Sequence, residues 1–335
     1  MKVLLVTAMY PTPDNPAFGS FVRAQEQALS HAGVDVQVLV FQGRIRKFIY
    51  PKGLVQMRRR LADSSIDLVH AHYGYVGVIA RLQWQVPVVV TYHGDDVLGT
   101  INARGRTTAL SRVAAVACRS ISPWIDAAIV QTEAMASRFR HANVYVVPHE
   151  VDLELFQPMD RQAARTAVGL SPTKRYLLFA ANPDIAVKNY PLARAAFLDL
   201  QRCYSDLELL VVYKETQSRL AMYMNACDVL VFPSYQEGSP NVVKQAMACN
   251  MPIVATAVGD VPEVVCKTAG CFICEPRPED FARRIEQLLQ RPIKTDGREH
   301  VRHLSGPNVA KRLIAVYEQV LRGRALSRTT FSVPA

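Results

Sequence analysis

The fold is decided by residues 225–247, NACDVLVFPSYQEGSPNVVKQAM. Within them Val229–Phe232 is a short apolar run of the length of a buried strand. A loop follows in which Gly238 leaves room for a ligand against the backbone, and Ser239 and Pro240 are typical of an N-cap and a first helical turn. A strand, a glycine loop and a helix together form the repeating unit of a parallel sheet covered by helices.

The same alternation extends outward over the whole chain. Short apolar runs, each consistent with a buried strand, are separated by helical patterns such as Phe21–Ala32. The runs are Val3–Thr7, Val36–Phe41, Leu68–Ala71, Val86–Thr91, Ala127–Gln131, Val144–Val147, Tyr176–Ala181, Leu207–Tyr213, Val229–Phe232, Ile253–Thr256 and Cys271–Ile273. We therefore predict an α/β protein with two Rossmann-like, doubly wound parallel sheets.

The boundary between the sheets falls near Pro148–Pro172, a stretch with three prolines and a charged helical segment. We predict a first domain over residues 1–160 and a second over 161–314, with a C-terminal helix at about 315–330 that packs back on the first. The domains would face each other across a cleft. Ligands bind beyond the carboxyl ends of the strands in such sheets, so the loops after each strand are the candidates.

Composition supports a globular chain of 335 residues, 50% of them hydrophobic and 20% charged. No apolar stretch reaches the roughly 18 residues that a membrane-spanning helix needs. Because Met1–Val6 runs into Met9-Tyr-Pro11 without a small-residue cleavage site, it is interpreted as a first strand and not as a signal peptide. The expected compartment is the cytosol.

The cysteines and the net charge limit the partners. The seven cysteines are expected to be reduced, and Cys271–Cys274 has the spacing of half a zinc site without a second half, so no metal is predicted. The net charge of +10 favours anionic partners. Since no basic repeat interleaved with aromatic residues is present, nucleic acid is not expected among them.

Four strand-end loops carry candidate site residues. Gly19 opens a helix where backbone N–H groups could approach an anion, His93 and Asp95 follow the fourth strand, and Lys188 precedes a helix where it could neutralise a phosphate. In the fourth loop, Glu237 precedes a helix N-terminus. A carboxylate there repels phosphate, so Glu237 is interpreted as an acceptor for hydroxyl groups, as sugar recognition requires.

Together these residues resemble the family 4 retaining glycosyltransferases, which have the two-domain GT-B architecture. The specific match is residues 225–240, continued by AMA at 246–248, PIVAT at 252–256 and VGDVPEVV at 258–265. Weaker matches are GSFVR at 19–23, HGDD at 93–96 and VPHEVDLELF at 147–156.

The resemblance implies a nucleotide-sugar donor, UDP- or GDP-linked, held mainly by the second domain, and a glycan, polyprenyl-linked or small-molecule acceptor held by the first. It implies catalytic roles for Glu237, His93 and Lys188, with retention of anomeric configuration and no cofactor or metal. The donor-binding residues that it implies are Gly19, Gly238, Ser239, Pro240, Asn241, Gln245 and Asn182, and Asp95 and Arg23 are expected on the acceptor side.

The chain departs from the family pattern at four places. Gln245 stands where a second glutamate is usual, Asn182 where an arginine is usual, and His149-Glu150 where the linker usually has Asn-Gly. The segment Leu207–Asp228 is short, which leaves the nucleobase unassigned. Two alternatives therefore stay open, a non-catalytic paralogue or partner subunit and a nucleotide-sugar epimerase.

A basic segment suggests a further partner. Residues 44–61 contain no acidic residue and interleave aromatic and aliphatic side chains with Arg44, Arg46, Lys47, Lys52, Arg58, Arg59 and Arg60. Such a segment could rest on an anionic membrane surface at the inner face, or form a solvated loop and helix.

Overall fold

The structure, a computed structural model, describes residues 1–42, 48–63, 65–102, 105–140 and 143–329. It contains two parallel sheets in succession along the chain. The first has six strands in the order β2-β1-β3-β4-β5-β6, and these are β1 (Lys2–Thr7), β2 (Asp35–Val40), β3 (Leu68–His72), β4 (Val88–Thr91), β5 (Ala127–Val130) and β6 (Val144–Val146). The second has five strands in the order β11-β10-β9-β7-β8, and these are β7 (Arg175–Phe179), β8 (Leu207–Val211), β9 (Val229–Phe232), β10 (Ile253–Thr256) and β11 (Cys271–Cys274).

Helices cover both faces of both sheets. Around the first sheet they are α1 (Ser20–His31), α2 (Ile49–Asp63), α3 (Gly74–Ala80), α4 (Asp95–Leu98), α5 (Ala109–Ser120) and α6 (Glu133–Ala136). The rest are α7 (Arg161–Val168), α8 (Tyr190–Gln201), α9 (Gln217–Ala226), α10 (Asn241–Ala248), α11 (Val261–Val265), α12 (Pro278–Gln290), α13 (Gly297–Val301) and α14 (Gly306–Thr329). The predicted fold class, two doubly wound parallel sheets, is confirmed. No helix in the described ranges is long and apolar enough to cross a membrane.

Side chains of each strand alternate between the two faces of the sheet, and each face packs against a layer of helices. In β1, Leu4 and Val6 enter the core shared with α2, α3 and α5, whereas Val3 enters the core shared with α1 and α14. Successive side chains of a strand point to opposite faces, so a strand covered on both sides must be apolar throughout. In β7, Leu178 and Leu177 divide between two cores in the same way.

The chain returns to its first domain at the end. Helix α14 begins at Gly306, earlier than the predicted 315, and buries Leu313 and Tyr317 against α1 and the first sheet. The linker between the sheets is held to the second domain by Arg298, whose guanidinium donates to the carbonyls of Leu153 and Phe156, both at 2.7 Å. The chain thus crosses between the two domains twice.

The two sheets meet at the carboxyl ends of their strands. The loop between β9 and α10 reaches the first domain, where Gln236 donates to the carbonyl of Gly99 at 2.7 Å. Gly238 lies against the backbone of His93 and Gly94, and a Cβ atom added to Gly238 would lie 3.2 Å from the carbonyl oxygen of His93. On its other side is Gly259, where an added Cβ would lie 2.3 Å from the carbonyl oxygen of Gly238. Strand-end loops of both domains therefore share one narrow region.

Candidate active site

An ion pair joins Lys188 and Glu237 of the second domain. Lys188 ends a short 3-10 turn before α8, and Glu237 lies in the loop before α10. Lys188 Nζ is 2.6 Å from Glu237 Oε1, and the two side chains are 26% and 16% exposed. The side chain of Asn189 fixes the spacing of the two loops by donating to the carbonyl of Pro233 at 3.1 Å.

Asp95 joins this pair from the first domain. The side chain of Asp95 is exposed to solvent, but its partial burial by neighbouring atoms raises its pKa. The nearby carboxylate of Glu237 raises this pKa further, whereas Lys188 lowers it. The structure therefore brings together three of the predicted residues, two carboxylates and one ammonium group, although they come from separate domains. Such a group offers hydrogen-bond acceptors for hydroxyl groups and one cation for a phosphate.

The start of α10 differs from the prediction. Ser239 is not its N-cap, because the helix begins at Asn241 with Pro240 at the N-cap position and no side-chain cap. The hydroxyl of Ser239 instead donates to Asp260 Oδ2 at 2.7 Å and accepts from the ammonium of Lys244. Lys244 Nζ lies 3.0 Å from Asp260 Oδ2.

Lys244 was not among the predicted site residues. Its side chain is buried, and burial lowers its pKa, although Asp260 favours the charged form. The signal in the sequence was a lysine placed in the apolar face of a helix, between Val243 and Ala246. The interaction ties the loop that carries Glu237 to the neighbouring loop after β10.

His93 lies in a column of histidines. Its Nε2 is 3.1 Å from His72 Nδ1, and its Nδ1 is 3.2 Å from His149 Nε2. The rings are stacked, with centroids 5.2 and 5.1 Å apart. Both ring nitrogens of His93 are thus engaged within the protein, and His149, one of the departures from the family pattern, supplies one of these contacts.

The column continues inward to α14. His70 Nε2 is 2.7 Å from the hydroxyl of Thr91, and His70 Nδ1 is 2.6 Å from the hydroxyl of Tyr317. Burial lowers the pKa of His70 and of His149 to about 3, and it lowers those of His72 and His93 as well. The four rings are therefore neutral, since charging a buried imidazole without an acidic partner is unfavourable.

Asp96, next to the predicted Asp95, shapes the His93 loop. Its carboxylate accepts from the backbone N–H groups of Gly74 at 2.8 Å, His93 at 2.9 Å and Gly94 at 3.1 Å. Burial raises the pKa of Asp96 to about 6 against these hydrogen bonds. Of the two adjacent aspartates, Asp96 holds the loop and Asp95 faces the cleft.

Gly19 is required by its own loop. It precedes α1 with φ of 70°, and an added Cβ atom would lie 2.5 Å from the carbonyl of Met9. Its predicted approach to a phosphate stays a prediction. Asn182 also has a local contact, because its Oδ1 accepts from the N–H of Asp184 at 3.0 Å.

A cavity of about 550 Å³ lies between α1 and its preceding loop on one side and the first turns of α9 and α10 on the other. Three predicted residues contribute to its wall: Arg23, Asn241 and Gln245. Lys188 and Glu237 do not line it. Gln245 Nε2 donates to Gln217 Oε1 at 2.8 Å. Across the described part of the chain, no three His, Cys, Asp or Glu side chains converge as a metal-binding group.

Comparison with known proteins assigns the family. Residues 2–168 match the glycosyl transferase 4-like domain, and residues 190–291 match glycosyl transferases group 1. The D-inositol 3-phosphate glycosyltransferase of Mycobacterium marinum is 30% identical over 81% of this chain and 67% of its own length. The Mycobacterium ulcerans enzyme of the same name is also 30% identical, over 81% and 68%. The chain is a family 4 glycosyltransferase.

Solved structures agree on the fold of this glycosyltransferase. Sucrose-phosphate synthase from Thermosynechococcus elongatus superposes with a TM-score of 0.78 at 20% identity, over 96% of this chain and all of the other. Anabaena HepE in complex with UDP-glucose gives a TM-score of 0.65 at 15% identity, over 98% and all of the other. The architecture of this chain is GT-B, as the sequence predicted.

The histidine column predicts that the enzyme loses stability in acid. The folded pKa values of the four histidines lie below the unfolded value of about 6.5, so the stability they contribute is complete above pH 6.5 and is lost as pH falls below it. Asp96 and Glu150 act in the opposite direction, because burial raises their pKa values to about 6 and about 7. Two net protons per molecule remain, so the free energy of unfolding should fall by about 2.7 kcal/mol per pH unit between pH 6 and pH 5.

Urea unfolding at a series of pH values measures this slope. His149→Asn removes one titrating ring and should reduce the slope by about 1 kcal/mol per pH unit. His31, an exposed residue at the end of α1, is the matched control, and the slope of His149→Asn is compared with that of His31→Asn. A free energy of unfolding that does not change between pH 7 and pH 5 would contradict the neutral state of the four histidines.

Proposed function

We propose that this enzyme is a retaining, metal-independent glycosyltransferase that moves a sugar from a UDP- or GDP-linked donor to a glycan, lipid-linked or small-molecule acceptor. The observation that carries the proposal is the convergence of Lys188 and Glu237 from the second domain with Asp95 from the first. In a transfer reaction the donor and the acceptor must meet at one point, and we assign that point to these three residues.

In the proposed mechanism the second domain holds the donor. The carboxylate of Glu237 accepts hydrogen bonds from hydroxyl groups of the sugar, and Lys188 turns from Glu237 to the diphosphate. The backbone N–H groups of Gly238, Ser239 and Asn241, at the start of α10, contribute further donors to sugar or phosphate oxygens. Transfer requires stabilisation of the charge that develops on the departing diphosphate, which fixed donors and a lysine provide.

The acceptor approaches from the first domain, where Asp95 and Arg23 lie. In this mechanism the departing phosphate oxygen takes the proton of the acceptor hydroxyl on the same face of the sugar, so configuration is retained without a carboxylate nucleophile. A cation other than Lys188 is not needed for this step, and activity should therefore be insensitive to EDTA. The histidine column supports the loop of residues 93–96 behind the reacting groups.

Two residues favour a second candidate, a non-catalytic paralogue or partner subunit. Gln245 replaces a carboxylate with a neutral amide that is bonded to Gln217, and Asn182 is bonded within its own turn. At both positions a neutral amide binds the donor more weakly than the charged side chain that is usual in the family. The working enzyme remains the better proposal because the ion pair of Lys188 and Glu237 is intact.

Glu237→Ala is expected to abolish transfer, and Lys188→Ala is expected to weaken donor binding, because each removes a group that contacts the donor in the proposed mechanism. Nucleotide release from a panel of nucleotide sugars, with and without lipid acceptor and EDTA, measures the first, and titration calorimetry measures the second. Lys174 and Glu208 form an ion pair at the exposed surface of the same domain and provide matched alanine controls. Normal turnover in Glu237→Ala with an intact circular dichroism spectrum would refute the assignment.

Gln245→Glu is expected to bind nucleotide sugars about tenfold more tightly, because a hydrogen bond to a charged group contributes roughly 1.5–3 kcal/mol against about 1 for a neutral pair. The amide of Gln217 can rotate to donate to the new carboxylate. Titration calorimetry compares the two forms. If neither form binds any nucleotide sugar, the non-catalytic candidate becomes the better one.

We further propose that the first domain rests on an anionic membrane surface. Residues 44–47 of the basic segment lie outside the described residues, but α2 carries the others and exposes Val55. Helix α3 packs between α2 and α5, and α5 exposes Leu110 by 81% and Val113 by 67%. A face that combines lysine and arginine with exposed apolar side chains suits the interface of an acidic bilayer.

Sedimentation with vesicles that contain anionic phospholipid is expected to carry the protein down at low salt and to release it at high salt, since each cation near the surface contributes about 1 kcal/mol. Replacing Arg58, Arg59 and Arg60 with glutamine should abolish binding. Replacing Arg283, Arg284 and Arg291 of the second domain is the matched control and should leave it intact. Failure to bind at low salt would contradict the membrane contact.

A further inference from the structure

Glu150 is an acidic side chain whose oxygens are left without partners. It follows β6 in the linker and is 7% exposed, with Gln25 of α1, Lys244 of α10 and Tyr317 of α14 around it. Neither carboxylate oxygen meets the geometry of a hydrogen bond to any residue that the structure describes, although the side chain of Gln25 is near enough to lower the pKa of Glu150. An unsatisfied buried carboxyl group is unfavourable and calls for a reason.

The charged neighbour of Glu150 is engaged elsewhere. The ammonium of Lys244 is bonded to Asp260 and Ser239 and only partly favours the charged form of Glu150. Burial consequently raises the pKa of Glu150 to about 7. The folded chain thus carries a carboxyl group that its own residues do not satisfy.

Glu150 is also part of the wall of the 550 Å³ cavity between the domains. Another wall residue, Asn241, has a buried Oδ1 atom with no partner in the described part of the chain. Both unsatisfied groups are acceptors, so the cavity matches a ligand that brings hydrogen-bond donors. Although Arg23 lines the same cavity, the carboxylates of Glu150 and Asp152 disfavour a phosphate beside Glu150, and the donors that meet Glu150 are therefore those of hydroxyl groups.

We propose that Glu150 binds ligand in this cavity, where its carboxylate accepts hydrogen bonds from a vicinal diol. The inference rests on the proposed function, which supplies two sources of such a diol, the ribose of the donor nucleotide and the sugar or polyol of the acceptor. Because the carboxylate makes no hydrogen bond of full geometry to the described residues, rotation of the side chain toward the cavity gains the hydrogen bonds of the diol at little cost. Gln245 in the same wall is a neutral amide, so Glu150 supplies the acidic acceptor there.

The experiment is a thermodynamic cycle in which the Glu150 carboxylate and the hydroxyl groups of the ligand are removed separately and together. Titration calorimetry compares UDP and GDP with their 2′,3′-dideoxy counterparts in the unaltered chain and in Glu150→Gln. A second arm compares D-inositol 3-phosphate with its deoxygenated analogues in the presence of UDP. In the arm that holds the true source, Glu150→Gln should weaken binding about tenfold, and the affinity lost on removing the hydroxyl groups should shrink by a similar factor.

Asp152→Asn is the matched control. Asp152 lines the same cavity, but its Oδ1 already accepts from the N–H groups of Glu154 at 3.0 Å and Leu155 at 2.9 Å. In Asp152→Asn, the affinity lost on removing the hydroxyl groups of the ligand should equal that lost in the unaltered chain. Glu150→Gln should keep or raise the melting temperature, because it removes an unsatisfied buried carboxyl, whereas a purely structural role would lower the melting temperature.

The outcomes separate the two proposals. Nucleotide binding that is normal in the unaltered chain, with the same hydroxyl dependence in Glu150→Gln in both arms, overturns the role of Glu150 and leaves the glycosyltransferase intact. Absence of nucleotide binding by the unaltered chain overturns the proposed function and the inference with it. Coupling in the first arm assigns the ribose, and coupling in the second assigns the acceptor.

Discussion

The close contact of backbone at Gly238 is the constraint on which the rest of the site depends. Gly94 on one side and Gly259 on the other approach this residue without side chains, and both have positive φ angles, 121° and 55°. A side chain at Gly259 would overlap the carbonyl of Gly238, so the loops after β9 and β10 could not meet there. This contact brings Glu237 beside Asp95, and it makes a site out of residues that are far apart in the sequence.

Two buried networks of opposite character hold the loops around that contact. In the first domain the histidine column is neutral, and Asp96 fixes the loop through backbone N–H groups. In the second domain Lys244 and Asp260 form a buried ion pair with Ser239. Removing one partner of such a pair typically costs about 3–5 kcal/mol, because the other charge is left unpaired in a medium of low dielectric. Both networks hold the loops that carry the candidate site residues.

Burial decides the chemistry that these networks offer. The column is neutral because burial lowers the pKa values of its rings and no acidic group in the described part of the chain pairs with them, and burial likewise raises the pKa of Glu150. A residue type alone does not set its charge state. Its neighbours do, and for Glu150 and His149 those neighbours come from α1, α10, α14 and the loop after β4.

The sequence by itself determined the fold class and the strand-end loops. These follow from local signals, namely apolar runs that alternate with helical periods and glycines that follow strands. It did not determine the start of α10, because Ser239 had a stronger partner in Asp260, 21 residues away. Likewise the contacts of Lys244, His72 and Glu150 were decided only by tertiary structure. Hydrogen bonds and burial that join distant segments leave no periodic trace in the sequence, and they appear only when the two sheets face each other.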